Sequence, residues 1–211
     1  QYNRLLLQRN KMLKDMNIDR SLLEVIDLRM SALAEPIYNA RKKFTDELRP
    51  VVAEYYKAVS GGSEQIDIEY DTELDKAGLD QLLEASFDKD RVLKYTSVGV
   101  QRDDLVFTMN GHPIRRCGSQ GQQKSFLVSL KFAQYEIMKR NYGFAPILLL
   151  DDVFDKLDMT RISNLLQMVS GKDFGQIFIT DSNKVRMSGI VDALTQDRVY
   201  YETVSGTFSR I

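Results

Sequence analysis

The stretch that decides the fold is PILLLDDVFDKLD, residues 146–158. Ile147–Leu150 form a continuous apolar run, which is typical of a parallel strand buried on both faces. Two acids follow directly, and ligands of open α/β sheets gather at the carboxyl ends of strands. Asp151 is therefore a candidate Mg²⁺ ligand, and Asp152 is a candidate for orienting a water that attacks a phosphate. The alternative is that two acids simply end a strand and begin a polar loop.

A second polar stretch, GSQGQQKS at residues 118–125, suggests a phosphate-binding loop. Such a P-loop has the pattern Gly-x-x-x-x-Gly-Lys-Ser/Thr, with the second glycine directly before the lysine. Here two glutamines separate Gly121 from Lys124, and the full pattern occurs nowhere else in the chain. We therefore reject the P-loop interpretation.

The same stretch fits the start of a helix, predicted to run through Lys124–Arg140. Ser119 is in the N-cap position. Its hydroxyl, the N–H groups of Gln120–Gln122 and the positive end of the helix together form a candidate anion site. Gly121 has no side chain, so a phosphate has room to approach the backbone. The alternative is a plain helix cap.

Composition excludes several classes of protein. The chain has 211 residues, 43% hydrophobic and 28% charged, with a net charge of −1, so a globally basic nucleic-acid surface is absent. No apolar run approaches the ~18 to 20 residues of a membrane span. The single cysteine, Cys117, excludes an internal disulfide, and we expect it to be a small buried side chain. The chain begins at Gln1 within an apparent helix, so we expect a fragment of a longer protein.

The first part of the chain has helical periodicity. Apolar spacings predict one helix over 3–16 and a long helical region over 21–59, with Ser21 as N-cap. Pro36 and Pro50 are expected to kink or divide that region. A continuous element suggests a lever, a short coiled coil or a helical subdomain. The alternative is a small bundle of two or three helices.

Ser60-Gly-Gly-Ser63 is the predicted domain boundary. It divides an all-helical arm subdomain, 1–63, from an α/β domain, 64–211. Beyond it, alternation and turn signals predict strands at 64–70, 95–100, 104–109, 147–150, 176–180 and 198–204, with helices at 79–92, 124–140 and 160–169. Strands that alternate with helices predict a layered α/β domain with a partly parallel sheet.

The order of these motifs resembles a known family. Ser-Gln-Gly-Gln-Gln opening a helix, then Leu-Leu-Leu-Asp-Asp and a Leu-Asp loop, is similar to the signature, Walker B and D-loop series of ABC-type ATPases. QRN at 8–10, VGVQRDDL at 98–105, GSQGQQKSFLVSLKFAQ at 118–134 and ILLLDDVFDKLD at 147–158 resemble the RecF family of recombination and repair proteins, relatives of SMC and Rad50 heads. The resemblance covers essentially the whole chain and is most specific in the last two stretches.

The resemblance implies the fold and the site. The fold would be the C-terminal lobe of an ABC-type ATPase head preceded by an all-helical arm, and the ligands would be ATP and Mg²⁺. In an ATP-dependent homodimer, the signature of one subunit faces the γ-phosphate held by the other. Carried over by motif, the implied residues are Ser119, Gln120, Gly121 and Gln122 on that phosphate in trans, Asp151 on Mg²⁺, Asp152 on the attacking water, and Asp158 across the dimer interface.

The family also implies a cellular role. Its members bind DNA at junctions of single and double strand, act with RecO and RecR to load RecA, and belong to the SOS response in the bacterial cytoplasm, with no membrane partner. Arg41-Lys42-Lys43 is a candidate contact to DNA phosphates, although a solvated run of charge is the alternative.

Two departures from the family pattern affect the expected activity. The switch histidine of ABC proteins is absent after the strand at 176–180, so Thr180 or Asp181 would have to contact the γ-phosphate. The P-loop half is also missing, so this chain should not hydrolyse ATP alone. The rival hypotheses are another SMC- or ABC-type ATPase head, and a non-catalytic assembly module with the same fold.

Overall fold

The computed structural model describes residues 1–15, 17–62, 64–171 and 173–211, with the backbone alone at 184–186. Met16, at the end of the first predicted helix, and Ser63, at the predicted boundary, lie outside the described residues. The helices are α1 (Tyr2–Met12), α2 (Arg20–Ser60), α3 (Leu79–Leu93), α4 (Ile114–Cys117), α5 (Gln120–Tyr142), α6 (Met159–Val169) and α7 (Lys184–Leu194). The strands are β1 (Ile66–Asp71), β2 (Asp104–Met109), β3 (His112–Pro113), β4 (Leu148–Asp151), β5 (Ile177–Thr180), β6 (Tyr201–Val204) and β7 (Thr207–Arg210).

The chain forms two compact units. The first comprises Gln1–Pro50 with Ile66–Pro113, and the second comprises Val51–Gln65 with Ile114–Ile211. Most of the helical segment thus shares a unit with β1 and β2. The division of the chain into domains at residue 63 stays a prediction.

Helix α2 runs unbroken through both of its prolines. Each proline removes one helical hydrogen bond, but the residues around them are held by packing. Met30 and Ala34 are fully buried before and near Pro36, and Val52 is fully buried just after Pro50. The expectation that the prolines divide this region is therefore wrong, because burial on either side outweighs the lost bonds.

The cap of α2 also differs from the prediction. The carboxylate of Asp19, rather than the hydroxyl of Ser21, accepts the N–H of Leu22 at 3.1 Å. Ser21 instead donates its hydroxyl to the same carboxylate at 2.8 Å. These hydrogen bonds lower the pKa of Asp19 below its ordinary value, the bond from Leu22 first.

In the first unit, β1 and β2 pair antiparallel from Ile66 opposite Met109 to Asp71 opposite Asp104. Asn110 and Gly111, a pair typical of tight turns, both have positive φ and lead into the short β3. The core of this unit is built from residues of α1, α2, α3 and the loop that follows α3: Tyr2, Ile26, Met30, Ala34, Leu79, Leu83, Val98 and Val100.

The strand predicted at Tyr95–Val100 is wrong, because the segment is a loop. Two of its backbone N–H groups donate to side chains of helices: Thr96 N–H donates to Asn10 of α1 at 2.7 Å, and Ser97 N–H donates to Asp90 of α3 at 2.8 Å. Val98 and Val100 are buried, which explains the alternating pattern without a strand.

A buried arginine of α1 links this loop to α2 and α3. Arg9 and Asp90 are both fully buried, and Arg9 Nη1 donates to Asp90 Oδ2 at 2.7 Å and to Thr96 Oγ1 at 2.9 Å. Arg9 Nε donates to Asp27 at 2.8 Å. The QRN stretch at 8–10 is therefore part of the structural centre of the first unit.

In the second unit, β4 and β5 pair in parallel, as predicted, from Leu148 opposite Ile177 to Asp151 opposite Thr180. β6 and β7 form a hairpin, of which only the first strand was predicted. The core brings α5, α6 and β4 together with the loop between β4 and α6, through Val128, Phe132, Leu150, Phe154, Leu157, Ile162, Leu165, Leu166 and Val169.

The prediction that β4 is buried on both faces is wrong. Leu148 and Leu150 face the core, with Ile177 and Ile179 beside them. The opposite face, which we call the open face, carries Ile147, Leu149 and Phe178, and they are 61%, 71% and 52% exposed. Within the described part of the chain, helices pack on one side of this strand pair only. The alternation of side chains places Asp151 and Thr180 on the open face as well.

Candidate functional site

The signature stretch folds as a capped helix start. Helix α5 begins at Gln120, directly after Ser119 as N-cap, and therefore earlier than the predicted start at Lys124. The Ser119 hydroxyl accepts the N–H of Gln122 at 3.3 Å, and the Ser119 N–H donates to Gln122 Oε1 at 2.7 Å. This capping box confirms Ser119 as the N-cap.

Both polar atoms of the Gln122 side chain make hydrogen bonds within the chain. While its Oε1 accepts from Ser119, its Nε2 donates to Glu64 Oε1 at 2.7 Å. Glu64 also accepts from the Tyr56 hydroxyl at 2.8 Å and from Arg161 Nη2 at 3.4 Å. Burial first, and then this bond to Glu64, raise the pKa of Tyr56.

Gly121 packs against the loop that follows β4. A Cβ at this position would lie 2.9 Å from Arg161 Nη1 and 3.2 Å from the Lys156 carbonyl oxygen. The arginine is flexible, but the backbone carbonyl is not. The glycine thus lets the first turn of α5 contact the loop at 155–158, which is a reason for a glycine here in addition to access for a phosphate.

Asp158, the predicted D-loop acid, is the N-cap of α6. Its Oδ1 accepts the N–H of Arg161 at 2.9 Å, and its side chain is 60% exposed. The guanidinium of Arg161 therefore lies near two carboxylates, with Nη2 at 3.4 Å from Glu64 and Nε at 3.7 Å from Asp158. The capping turn of α5 and the D-loop meet through Gly121 and Arg161.

The two acids after β4 occupy different backbone conformations. Asp151 ends the strand, and its carboxylate accepts the hydroxyl of Thr180, its neighbour on β5. Asp152 has φ +47°, a left-handed conformation that aspartate and asparagine tolerate better than most residues. The two acids therefore do not continue the alternation of the strand.

The donor set at Asp151 fits a magnesium ion. Mg²⁺ usually takes one or two carboxylates and completes its shell with water and phosphate oxygens. Asp151 offers an exposed carboxylate beside the Thr180 hydroxyl. Across the described residues, no group of three or more His, Cys, Asp or Glu side chains is arranged to hold a metal by itself.

Asp181, the other candidate for the switch, is involved in local structure. Its Oδ1 accepts the N–H of Asn183, immediately before α7. Thr180 thus contacts the candidate metal ligand, whereas this contact of Asp181 fixes a turn.

The cations proposed to meet DNA are paired with carboxylates. Arg41 Nη1 lies 2.8 Å from Asp103, Lys42 lies 2.6 Å from Asp75, and Lys43 lies 3.9 Å from Glu47. Contacts to phosphates would compete with these pairs.

Two simpler expectations have clear outcomes. Cys117 is exposed, so its predicted burial is wrong; it lies in the short α4, just before the signature.

No helix in the described residues has both the length and the apolar character needed to cross a bilayer.

Glu64 and Arg161 are two residues of the candidate site that the sequence motifs did not indicate. They lie 97 residues apart in the chain and join at the signature turn. Neither belongs to a short motif, so only the fold reveals their contact.

Comparison with known proteins gives the family. RecF of Parabacteroides distasonis is 41% identical over 206 residues, 98% of this chain and 56% of that protein. RecF of Porphyromonas gingivalis is 42% identical over 207 residues, again 98% of this chain and 57% of the relative. This chain is a RecF-type sequence. It spans a little over half the length of these RecF relatives and corresponds to their C-terminal part.

Solved structures agree with the fold. The structure described as the recombination mediator protein RecF with ATP, in the RecFOR pathway, matches with a TM-score of 0.76 at 26% identity, over 100% of this chain and 57% of that one. An Smc head domain from Pyrococcus yayanosii shares the fold with a TM-score of 0.54 at 13% identity, over 90% of this chain and 31% of that one. The predicted fold class, part of an ABC-type ATPase head, is confirmed. No protein-family profile matches the chain.

Proposed function

We propose that this chain is the signature-bearing part of a RecF-type DNA replication and repair ATPase. The observation that carries the proposal is the capped start of α5 against the loop at 155–158, in the same unit as the Asp151–Thr180 pair. The class of protein in this proposal is taken from the RecF relatives, which are named as DNA replication and repair proteins. ATP is proposed as the nucleotide because a similar solved structure is described as RecF with ATP. In this proposal, the P-loop is supplied by a segment of the full-length protein other than this chain, in which the P-loop pattern does not occur.

In this proposal, the signature turn binds the γ-phosphate held by a second subunit. This phosphate accepts hydrogen bonds from the Ser119 hydroxyl and from the N–H groups of Gln120 and Gly121. These donors are available because a helix leaves its first N–H groups without internal partners, and the positive end of the helix favours anions. Gln122 acts through its bond to Ser119 rather than by direct contact, since its amide is already engaged. Asp158 faces the partner across the dimer interface.

The carboxyl ends of β4 and β5 carry the metal and the water. Asp151 holds Mg²⁺, which would neutralise charge on the phosphates. Asp152 orients the attacking water. Thr180, rather than Asp181, takes the switch role, because its hydroxyl already contacts Asp151.

The wider role follows that of the family. ATP clamps two subunits together, the dimer binds DNA at single-strand/double-strand junctions, and RecO and RecR act with it in loading RecA during the SOS response, in the cytoplasm. The rival hypotheses remain another SMC- or ABC-type head and a non-catalytic assembly module. ATP-dependent dimerisation of the full-length protein distinguishes an ATP-driven clamp from an assembly module, and a full-length protein that stays monomeric in ATP would exclude the clamp.

The catalytic assignment is tested by Asp152→Asn in the full-length protein. Asparagine tolerates the left-handed backbone at this position, so the change removes the charge with little strain. We expect ATP turnover to fall by roughly 10²- to 10⁴-fold, the usual contribution of a positioned base, while ATP-dependent dimerisation persists. Asp197→Asn, an exposed acid in the same unit, is the matched control. Unchanged turnover in Asp152→Asn would remove its catalytic role.

DNA contact is tested by a salt titration. Each phosphate contact that is lost reduces the slope of log K against log salt by about 0.9 for duplex DNA. We expect Arg41, Lys42 and Lys43 replaced together by glutamine to reduce that slope, with exposed Lys131→Gln as control. An unchanged slope would exclude phosphate contacts at these three residues.

A further inference from the structure

Glu64 joins three parts of the second unit. It lies between α2 and β1, and its side chain is 13% exposed. Its Oε1 accepts from Gln122 of α5 at 2.7 Å and from Arg161 of α6 at 3.4 Å, while its Oε2 accepts from Tyr56 of α2 at 2.8 Å. One carboxylate therefore bonds both sides of the contact between the signature turn and the D-loop.

The bond to Glu64 fixes the orientation of the Gln122 amide. The Nε2 group can donate to a carboxylate, so Oε1 is left to face the N–H of Ser119. A flipped amide would place its oxygen against Glu64 and its NH₂ against an N–H donor, losing both bonds. Glu64 thus holds the capping box in the geometry that aims the Ser119 hydroxyl.

The bond to Arg161 acts on the other side. The guanidinium lies between Glu64 and Asp158, and its Nη1 would lie 2.9 Å from a Cβ at position 121. Displacing this side chain would change the fit between the turn at 119–122 and the loop at 155–158.

We propose that Glu64 is a positioning residue that keeps the signature turn and the D-loop at a fixed spacing, so that both reach the partner subunit together. This inference rests on the proposed function for its role in the dimer. The coupling of the two segments by Glu64 is a property of one subunit and can be measured without nucleotide.

The first experiment is hydrogen exchange of the nucleotide-free, full-length protein. Glu64→Ala should raise exchange at both the Gln122 and Gln123 amides and the 156–161 segment by about tenfold, the effect of losing a hydrogen bond to a charged group. Glu64→Gln, which keeps an acceptor oxygen, should restore most of the protection. Glu54→Gln, an exposed acid on α2 in the same unit, should change neither segment. A change confined to one segment, or to none, would overturn the coupling.

The second experiment measures ATP-dependent dimerisation of the same variants. Glu64→Ala should weaken the dimer about tenfold and leave ATP binding by a single subunit unchanged, and adding Gln122→Ala should weaken the dimer no further. Additive losses, or equal loss of ATP binding, would overturn the positioning role.

A wild-type protein that does not dimerise in ATP would refute the proposed function, while hydrogen exchange would still decide the coupling. If Glu64→Ala does not fold, Glu64→Asp, too short to keep both contacts, takes its place with the same expectations.

Discussion

Removing Asp90 tests whether the buried arginine organises the first unit. Asp90→Ala would remove the bond to Arg9 Nη1 at 2.7 Å, the bond to Ser97 N–H at 2.8 Å and a weaker one from Ser86 at 3.2 Å. Arg9 would stay fully buried, with Asp27 as its remaining carboxylate. Burial, partly offset by the hydrogen bond from Arg9, already raises the pKa of Asp27.

The expected cost is about 3–5 kcal/mol of unfolding free energy, the usual penalty for removing one partner of a buried ion pair. That is a large share of the ~5–15 kcal/mol that stabilises a whole domain. Asp90→Asn should cost less, because its side-chain oxygen can still accept from Ser97. The matched control is Asp67→Ala, whose partner Arg49 and own side chain are both about half exposed; exposed pairs contribute ~1 kcal/mol or less.

The assay is urea unfolding of the 211-residue chain. Ten tyrosines and no tryptophan make tyrosine fluorescence the natural probe, and amide exchange at Ser97 assigns the effect to the first unit. An Asp90→Ala variant as stable as Asp67→Ala would refute the reasoning, because the Arg9 charge would then have to be satisfied in another way.

Three further predictions concern other contacts. Gly121→Ala should destabilise the start of α5 by about 1–3 kcal/mol through overpacking, despite the better helix propensity of alanine, measured as faster exchange of the Gln122 and Gln123 amides. Asp19 stabilises the start of α2 above its ordinary pKa of 3.8, and its contribution should be lost as pH falls through its lower folded-state pKa, followed by NMR of the Leu22 amide. Burial raises the pKa of Tyr70 to about 12, so its contribution to stability should persist below its ordinary pKa of about 10 and disappear as pH rises towards 12, followed by ultraviolet absorbance.

Each of these has a control. Gly189→Ala, in α7 where a Cβ would meet no atom within 4 Å, should be neutral or stabilising. Asp19→Ala should abolish the acid transition at Leu22, and Tyr70→Phe should remove one high-pH step from the absorbance titration. A persisting transition in either variant would show that another group is responsible.

Local chemistry predicted much of the fold. Ser119 was identified as an N-cap because serine is a preferred N-cap residue and lies just before a helical pattern. The parallel pairing of β4 with β5 followed from apolar runs separated by a helix. Such features depend on neighbours within a few residues, which the sequence displays directly.

Two of the misses have a cause in packing between elements. The segment at 95–100 resembles a strand, but Asn10 and Asp90 bond its backbone from other elements. Glu64 was overlooked for the same reason, since its partners on α5 and α6 lie 58 and 97 residues away. Sequence patterns predict which side chains are buried more readily than they predict what those side chains touch.

The open face of β4 and β5 has a consequence for handling the chain in solution. Ile147, Leu149 and Phe178 form a contiguous apolar strip whose side chains are each more than half exposed. Exposed apolar patches promote self-association, so light scattering from the 211-residue chain should rise with concentration and with lyotropic salt. Replacing Leu149 by threonine, which keeps β-propensity, should lower that scattering. The self-association of this chain in solution would then depend on one face of the sheet formed by β4 and β5.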